Sequence, residues 1–188
     1  MGTVSWGGSE QNLILPDQTL RGFIIASYGL PEIRNISAKP DYIATEEEIL
    51  RTGISEEEYI ENTWNVLNEF YENITFHAKT IGPTAPPAEF DPIAFIDYIL
   101  SLRAESSSLG WIKNRGIEQS LDTKLENAKK DLQKGNEKAA INILEALINE
   151  VEAQGCETYE DCPPGKHLTS EAYALLKYNA EYLIEKLK

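Results

Sequence analysis

Between Ile117 and Ala153 the apolar residues recur at helical spacing, interrupted once by Lys134-Gly135-Asn136. Ile117, Leu121, Leu125, Ala128 and Leu132 share one face of a first helix, with Glu118, Lys124, Glu126, Lys129, Lys130 and Asp131 opposite. Ala140, Leu144, Leu147 and Val151, widened by Ile141 and Ile148, repeat the stripe in a second helix. Gly135 can take the positive φ needed just past a helix end, and Asn136 is a favoured N-cap. So short a loop predicts an antiparallel αα-hairpin with its two stripes facing each other. A hairpin alone leaves much of both stripes in water, so this stretch can fold only against further helices.

Both flanks supply them. Asp91-Pro92 gives an N-cap with proline at the first helical position, and Ile93, Phe95, Ile96, Ile99, Leu100 and Leu102 predict a very apolar helix to about Ser108, set deep in a bundle. Leu109-Gly110-Trp111-Ile112 bends the chain into the hairpin. After Gly155 a loop from Cys156 to Gly165 reverses direction, and Thr169 or Ser170 caps a last helix with Ala172, Leu175, Leu176, Asn179, Leu183 and Leu187 inward. Asn179 is polar at a core position, which reads as a satisfied, register-fixing contact.

The chain before residue 90 has another character. Residues 4–6, 12–15, 20–27 and 33–38 are short apolar or alternating segments separated by Gly and Pro turns, the punctuation of strands. Thr45-Glu46-Glu47-Glu48 and Ser55-Glu56-Glu57-Glu58 read as helix caps with acids in the first turn, Gly53 closing the first. Ile60, Trp64, Leu67, Tyr71 and Ile74 continue the second helix, and residues 74–81 alternate again as a strand carrying His77. Residues 82–90, with Pro83, Pro86 and Pro87, are expected to continue neither strand nor helix and to mark a boundary. The expected fold is α+β, mostly α: a small β-rich sheet region with a helical insertion over 1–90, then an antiparallel four-helix bundle over 91–188.

Charge narrows the function. With 31 acidic against 17 basic residues, a net charge of -14, there is no basic patch to neutralise phosphates, so nucleic acid and anionic membrane surfaces are excluded as partners. No apolar run approaches the roughly 20 residues needed to span a bilayer, and the first residues do not read as a signal peptide. Cys156 and Cys162 flank a short acidic loop and are preferred as a local disulfide over free thiols, which favours an oxidising compartment. Within that loop Glu157, Glu160 and Asp161 are the candidate ligands for calcium, although the spacing is not that of a known loop and a solvated turn is the preferred reading; no other cofactor is expected. Asn35-Ile36-Ser37 and Asn73-Ile74-Thr75 are sequons.

Gly110-Trp111-Ile112, Gly116-Ile117, Ser120-Leu121-Asp122, Lys124-Leu125, Gly135-Asn136, Ala139-Ala140, Leu144, Ile148-Asn149-Glu150-Val151 and Leu168-Thr169-Ser170, with Ala172 and Leu175-Leu176, follow in a distinctive order. This segment, about residues 108–187, resembles the FIMAH-type helical domain found near the C-termini of secreted bacterial and archaeal proteins. It departs from that pattern where Ala146-Leu147 replaces an aromatic before Ile148 and where the cysteine loop is longer. Pro16-Asp17-Gln18-Thr19-Leu20-Arg21-Gly22-Phe23, with Ser27 and Pro31, looks like the end of a β-domain that precedes such a bundle. The resemblance implies an extracellular or cell-surface location, a non-catalytic accessory role beside the other domains of a larger secreted protein, and no active site to map.

The residues alone agree on chemistry. Two distant histidines, no G-x-S-x-G, no P-loop and no G-x-G-x-x-G leave no nucleophile with a base, so enzyme activity is not expected. The first expectation is a binding or spacer module using Trp6, Tyr28 or Tyr159 as a contact surface, Trp111 being assigned to packing at the helix junction. The alternative is a self-assembling structural subunit that completes its sheet by strand exchange with identical subunits. Last comes a hydrolase built on His77 where the sheet meets a helix.

Overall fold

The computed structural model describes residues 29–38, 76–156 and 163–188, together with single positions between 53 and 61. Strand β1 (Leu30–Ala38) pairs antiparallel with β2 (Phe76–Thr84), and four helices follow: α1 (Pro92–Ser108), α2 (Arg115–Gln133), α3 (Glu137–Gln154) and α4 (Ser170–Leu187). The expected class, α+β and mostly α, is the one found.

The helix ends follow from local chemistry. Asp91 Oδ1 accepts from the Ile93 and Ala94 amides at 2.8 and 3.2 Å, with Pro92 at the first helical position where its missing N–H costs nothing. Asn114, which the sequence reading passed over, caps α2 through Oδ1 to Gly116 and Ile117. Between α2 and α3 the amides of Gly135 and Asn136 return to the Leu132 and Asp131 carbonyls at 2.9 and 2.8 Å, with Gly135 at φ +74°, which is a Schellman closure. Asn136 therefore works through its backbone, closing α2; as N-cap of α3 it makes no side-chain bond, contrary to expectation. Upstream, Ser55 Oγ accepts from the Glu58 amide at 3.2 Å, so Glu57 and Glu58 lie in the first turn of a capped helix, and Gly53 sits at φ +71°.

The helices close into a ring in which α1 packs on α2, α2 on α3, α3 on α4 and α4 on α1. Their directions alternate. Asp97 pairs with Lys129 and Arg103 with Asp122 across α1 and α2, while Glu152 pairs with Lys177 and Glu145 with Lys188 across α3 and α4, each set running in opposite senses. Leu121, Leu125 and Ala128 of α2 and Ala140, Leu144, Leu147 and Val151 of α3 are fully buried, the stripes expected of the central hairpin.

The deepest helix is not α1. Asp97 and Ser101 face water, and α1 buries five residues against nine in α4. The sheet explains the difference: α4 packs on α1, on α3 and on β1 as well, so more of its circumference is covered.

At one end of the bundle the two connections are joined to each other. Ile112 and Leu168 form an antiparallel bridge, the Lys113 amide donates to His167 O at 2.8 Å and the Thr169 amide to Trp111 O at 2.9 Å. The end of α3 is fixed to the same place, since the His167 and Leu168 amides reach Gln154 O and Lys166 Nζ donates to Ala153 O at 2.6 Å. Gly155 lies in the middle of this junction. Its φ of -127° suits any residue, but a Cβ there would stand 3.0 Å from Tyr173 Cδ2, 3.1 Å from Leu168 Cβ and 3.1 Å from Val151 O. Gly155 is required for room and not for backbone freedom.

The sheet corrects the reading of residues 82–90. Gly82, Pro83 and Thr84 belong to β2, and Pro31, treated as punctuation, belongs to β1. The register makes this possible, because Pro31 and Pro83 face each other. Two prolines cannot exchange N–H···O bonds, so theirs is a non-hydrogen-bonded pair whose backbone groups point outward, and a two-stranded sheet has only edges. The outward carbonyl of Pro31 is then taken by α4: Asn179 Nδ2 donates to it at 3.0 Å and to Leu175 O at 2.8 Å. Strand segments expected before residue 28, and the helix expected over 60–74, lie largely outside the described residues.

Gly155→Ala is expected to cost about 1–3 kcal/mol in urea unfolding, because the overpacked carbon meets backbone and ring atoms that cannot move independently. A loss below about 0.5 kcal/mol would show that the junction relaxes freely.

Candidate functional site

The sheet meets the bundle at a cleft of about 310 Å³. Leu30 and Glu32 alternate with Pro31 and so share one face of β1, and Thr84, opposite Leu30, brings the end of β2 to the same face. The chain then crosses to α1 through Ala85 and Pro87, which form a side of the cleft. Because Asp91 fixes the start of α1, Phe95 and Tyr98 come round onto the side facing the sheet.

The floor is apolar. Leu30 is 8 % exposed and Phe95 6 %, and Phe95 stands in an aromatic group with Phe90, Tyr98 and Tyr182 at centroid distances of 5.7, 5.7 and 5.3 Å. The rim is acidic, formed by Glu32, Glu89 and Asp91. Arg34 binds Glu32 Oε2 at 2.7 Å and reaches Pro83 O at 3.4 Å, so Glu32 is neutralised in place, while Asp91 spends Oδ1 on the helix cap. Burial raises the Tyr98 phenol above its usual value, the negative Glu32 adds to this, and Arg34 opposes it. At neutral pH Tyr98 is thus a firmly protonated hydroxyl beside an apolar floor. The arrangement can hold a ligand; among the described residues its lining includes no histidine, serine or cysteine.

The residues singled out from the sequence fall elsewhere. Trp6, Tyr28, Tyr159, Glu157, Glu160, Asp161 and Cys162 all lie outside the described residues. Cys156 is half-buried directly after Gly155, and no free cysteine occurs among the described residues. Trp111 packs against the core at the joined connections, the role assigned to it. His77 is exposed on β2 opposite Ser37, at the far end of the strand pair from the cleft, and Asn35 of the first sequon is exposed on β1. Among the described residues no group of three or more His, Cys, Asp or Glu is placed to hold a metal ion, and no helix is long and apolar enough to cross a membrane.

Residues 96–185 match the FIMAH domain. Over this span the helical part of the chain is similar to that domain. No curated protein and no solved structure matches the chain. The matched span opens inside α1 and closes inside α4, and of the described cleft residues it contains Tyr98 alone. Leu30, Glu32, Thr84, Asp91 and Phe95 precede it, so the cleft arises where the matched helices meet the sheet.

A raised phenol pKa has a definite sign in stability. Above the ordinary tyrosine value of 10.0 the unfolded chain has released this proton while the folded protein retains it, so stability is lost as pH climbs beyond that point and is unaffected below it. Between about pH 9 and about pH 11 the wild type should therefore lose more melting temperature than Tyr98→Phe. Parallel curves for the two proteins would show that Tyr98 titrates as if exposed.

Proposed function

We propose that this chain is a non-catalytic accessory module of an extracellular or cell-surface protein, and that its role is binding, through the cleft that the FIMAH domain forms with the sheet before it. The observation that carries this reading is the cleft's construction: a buried apolar floor under an acidic rim, with two of its carboxylates already engaged in holding the fold. A domain-family match covering part of the chain fits a unit that works beside other domains.

The rival reading, a subunit that exchanges strands with its copies, draws less support. Pro83 offers no donor on the outward side of β2, which discourages strand addition, and the outward carbonyl of Pro31 is already held by Asn179.

The extracellular part of the reading rests on the cysteines, which we pair as Cys156 to Cys162. The segment just past the loop is tied to the end of α3 through Lys166, His167 and Leu168, so a bridge between its two ends closes a turn already brought together. An intact mass under non-reducing conditions is expected to be lower than the reduced mass by one pair of hydrogens. Free thiols after aerobic purification would remove the compartment argument.

For the cleft itself, the test is a titration of uniformly ¹⁵N-labelled protein with soluble polysaccharides, peptides and cell-wall fractions. Amide shifts should gather at residues 30–32 and 84–98 for at least one class. No shift with any of them would leave the module a spacer.

A further inference from the structure

We infer that the cleft receives the side chain of a lysine presented by a partner polypeptide: an apolar stem on the floor and a primary ammonium at the rim. The inference rests on reading the cleft as a binding site and goes on to name what enters it. A methylene stem needs an apolar channel with a polar mouth. Leu30 and Phe95, 8 % and 6 % exposed, supply the first, and Glu89 and Asp91, both exposed, supply the second.

Charge selects a cation. Three carboxylates, those of Glu32, Glu89 and Asp91, face one guanidinium, that of Arg34, so the rim is net negative, within a chain of net charge -14 that draws cations from a distance. Arg34 is held on Glu32 at 2.7 Å and on Pro83 O, which keeps its charge at the sheet side of the mouth. The positive end of α1 also points here and would favour an anion, but Asp91 already occupies it with its carboxylate.

Two of the three carboxylates favour ammonium over guanidinium. A guanidinium draws its strength from a two-pronged contact with one carboxylate. Glu32 already serves Arg34 and Asp91 has committed Oδ1, so that contact is not on offer at either. An ammonium asks only for single acceptors, which Glu89, Asp91 Oδ2 and the Thr84 and Tyr98 oxygens can provide, beside aromatic faces that favour a cation.

The experiment uses the full 188-residue chain, ¹⁵N-labelled, and three capped amino acids: Nα-acetyl-lysine N-methylamide, its arginine counterpart, and its norleucine counterpart, which keeps the stem and lacks the charge. The lysine probe is expected to shift amides at residues 30–32 and 84–98 with a dissociation constant in the millimolar range. It should weaken about threefold in Glu89→Gln, an exposed change that should leave the melting temperature unaltered, and further in about 0.5 M NaCl. Equal binding of norleucine would overturn the proposal by reducing the cleft to an apolar slot, and equal or tighter binding of arginine would overturn the choice of ammonium. If lysine fails while a polysaccharide shifts the same amides, the ligand assignment falls and the binding module stands. If neither shifts them, both fall together.

Discussion

The attachment of the sheet to the bundle turns on one buried amide. Asn179 is fully buried in the most enclosed helix, and both groups in reach of its side chain are carbonyls, Pro31 O and Leu175 O. Both are acceptors, so Nδ2 must face them, which leaves Oδ1 buried without a partner among the described residues. That is a cost of the order of 1–3 kcal/mol, accepted for a joint that no apolar residue could make. With Pro31 held, Leu30 next to it enters the core and Glu32 beyond it reaches the cleft. The seat of Leu30 and the place of Glu32 at the cleft therefore rest on a polar contact as well as on packing.

The charged residues around the ring have a different task. Most of the cross-helix pairs are partly open to water and individually contribute little to stability. What they supply is order, since each pair is satisfied only between the correct neighbours running in opposite directions. Lys177 is the most engaged of them. It contacts Glu152 at 2.7 Å and Tyr173 Oη at 3.0 Å and lies over the rings of Tyr173 and Tyr178, and Glu152, then Tyr173, hold its ammonium well above the ordinary lysine value. It pins α4 to α3 at the end where the two connections are joined.

How much of this the sequence discloses depends on the distance over which each feature is decided. Caps and stripes are local, and Asp91, Thr169, Gly135 and the faces of α2 and α3 were all legible from spacing and residue type. Asn179 could be read as a structural polar contact, but its partner 148 positions away could not. The depth of α4 escaped for the same reason, because it depends on a sheet that covers a side the helix pattern alone would leave wet. Prolines 31 and 83 were misread because proline forbids a strand only where its N–H would be needed, and that is settled by register, not by composition. The cleft was the least legible element. Glu32 and Tyr98 carry no spacing signal relative to each other; they meet because β1 is carried onto the bundle.

The even number of alternating helices has a mechanical consequence. The chain comes into the bundle at Asp91 and runs out of α4 at Leu187 on the same end, since α1 and α4 are antiparallel neighbours. Tension transmitted through these two points loads the α1–α4 seam side chain by side chain, in the manner of a zipper, and leaves the joined connections at the opposite end unstressed. Such a unit adds breadth and little reach to a chain that carries it.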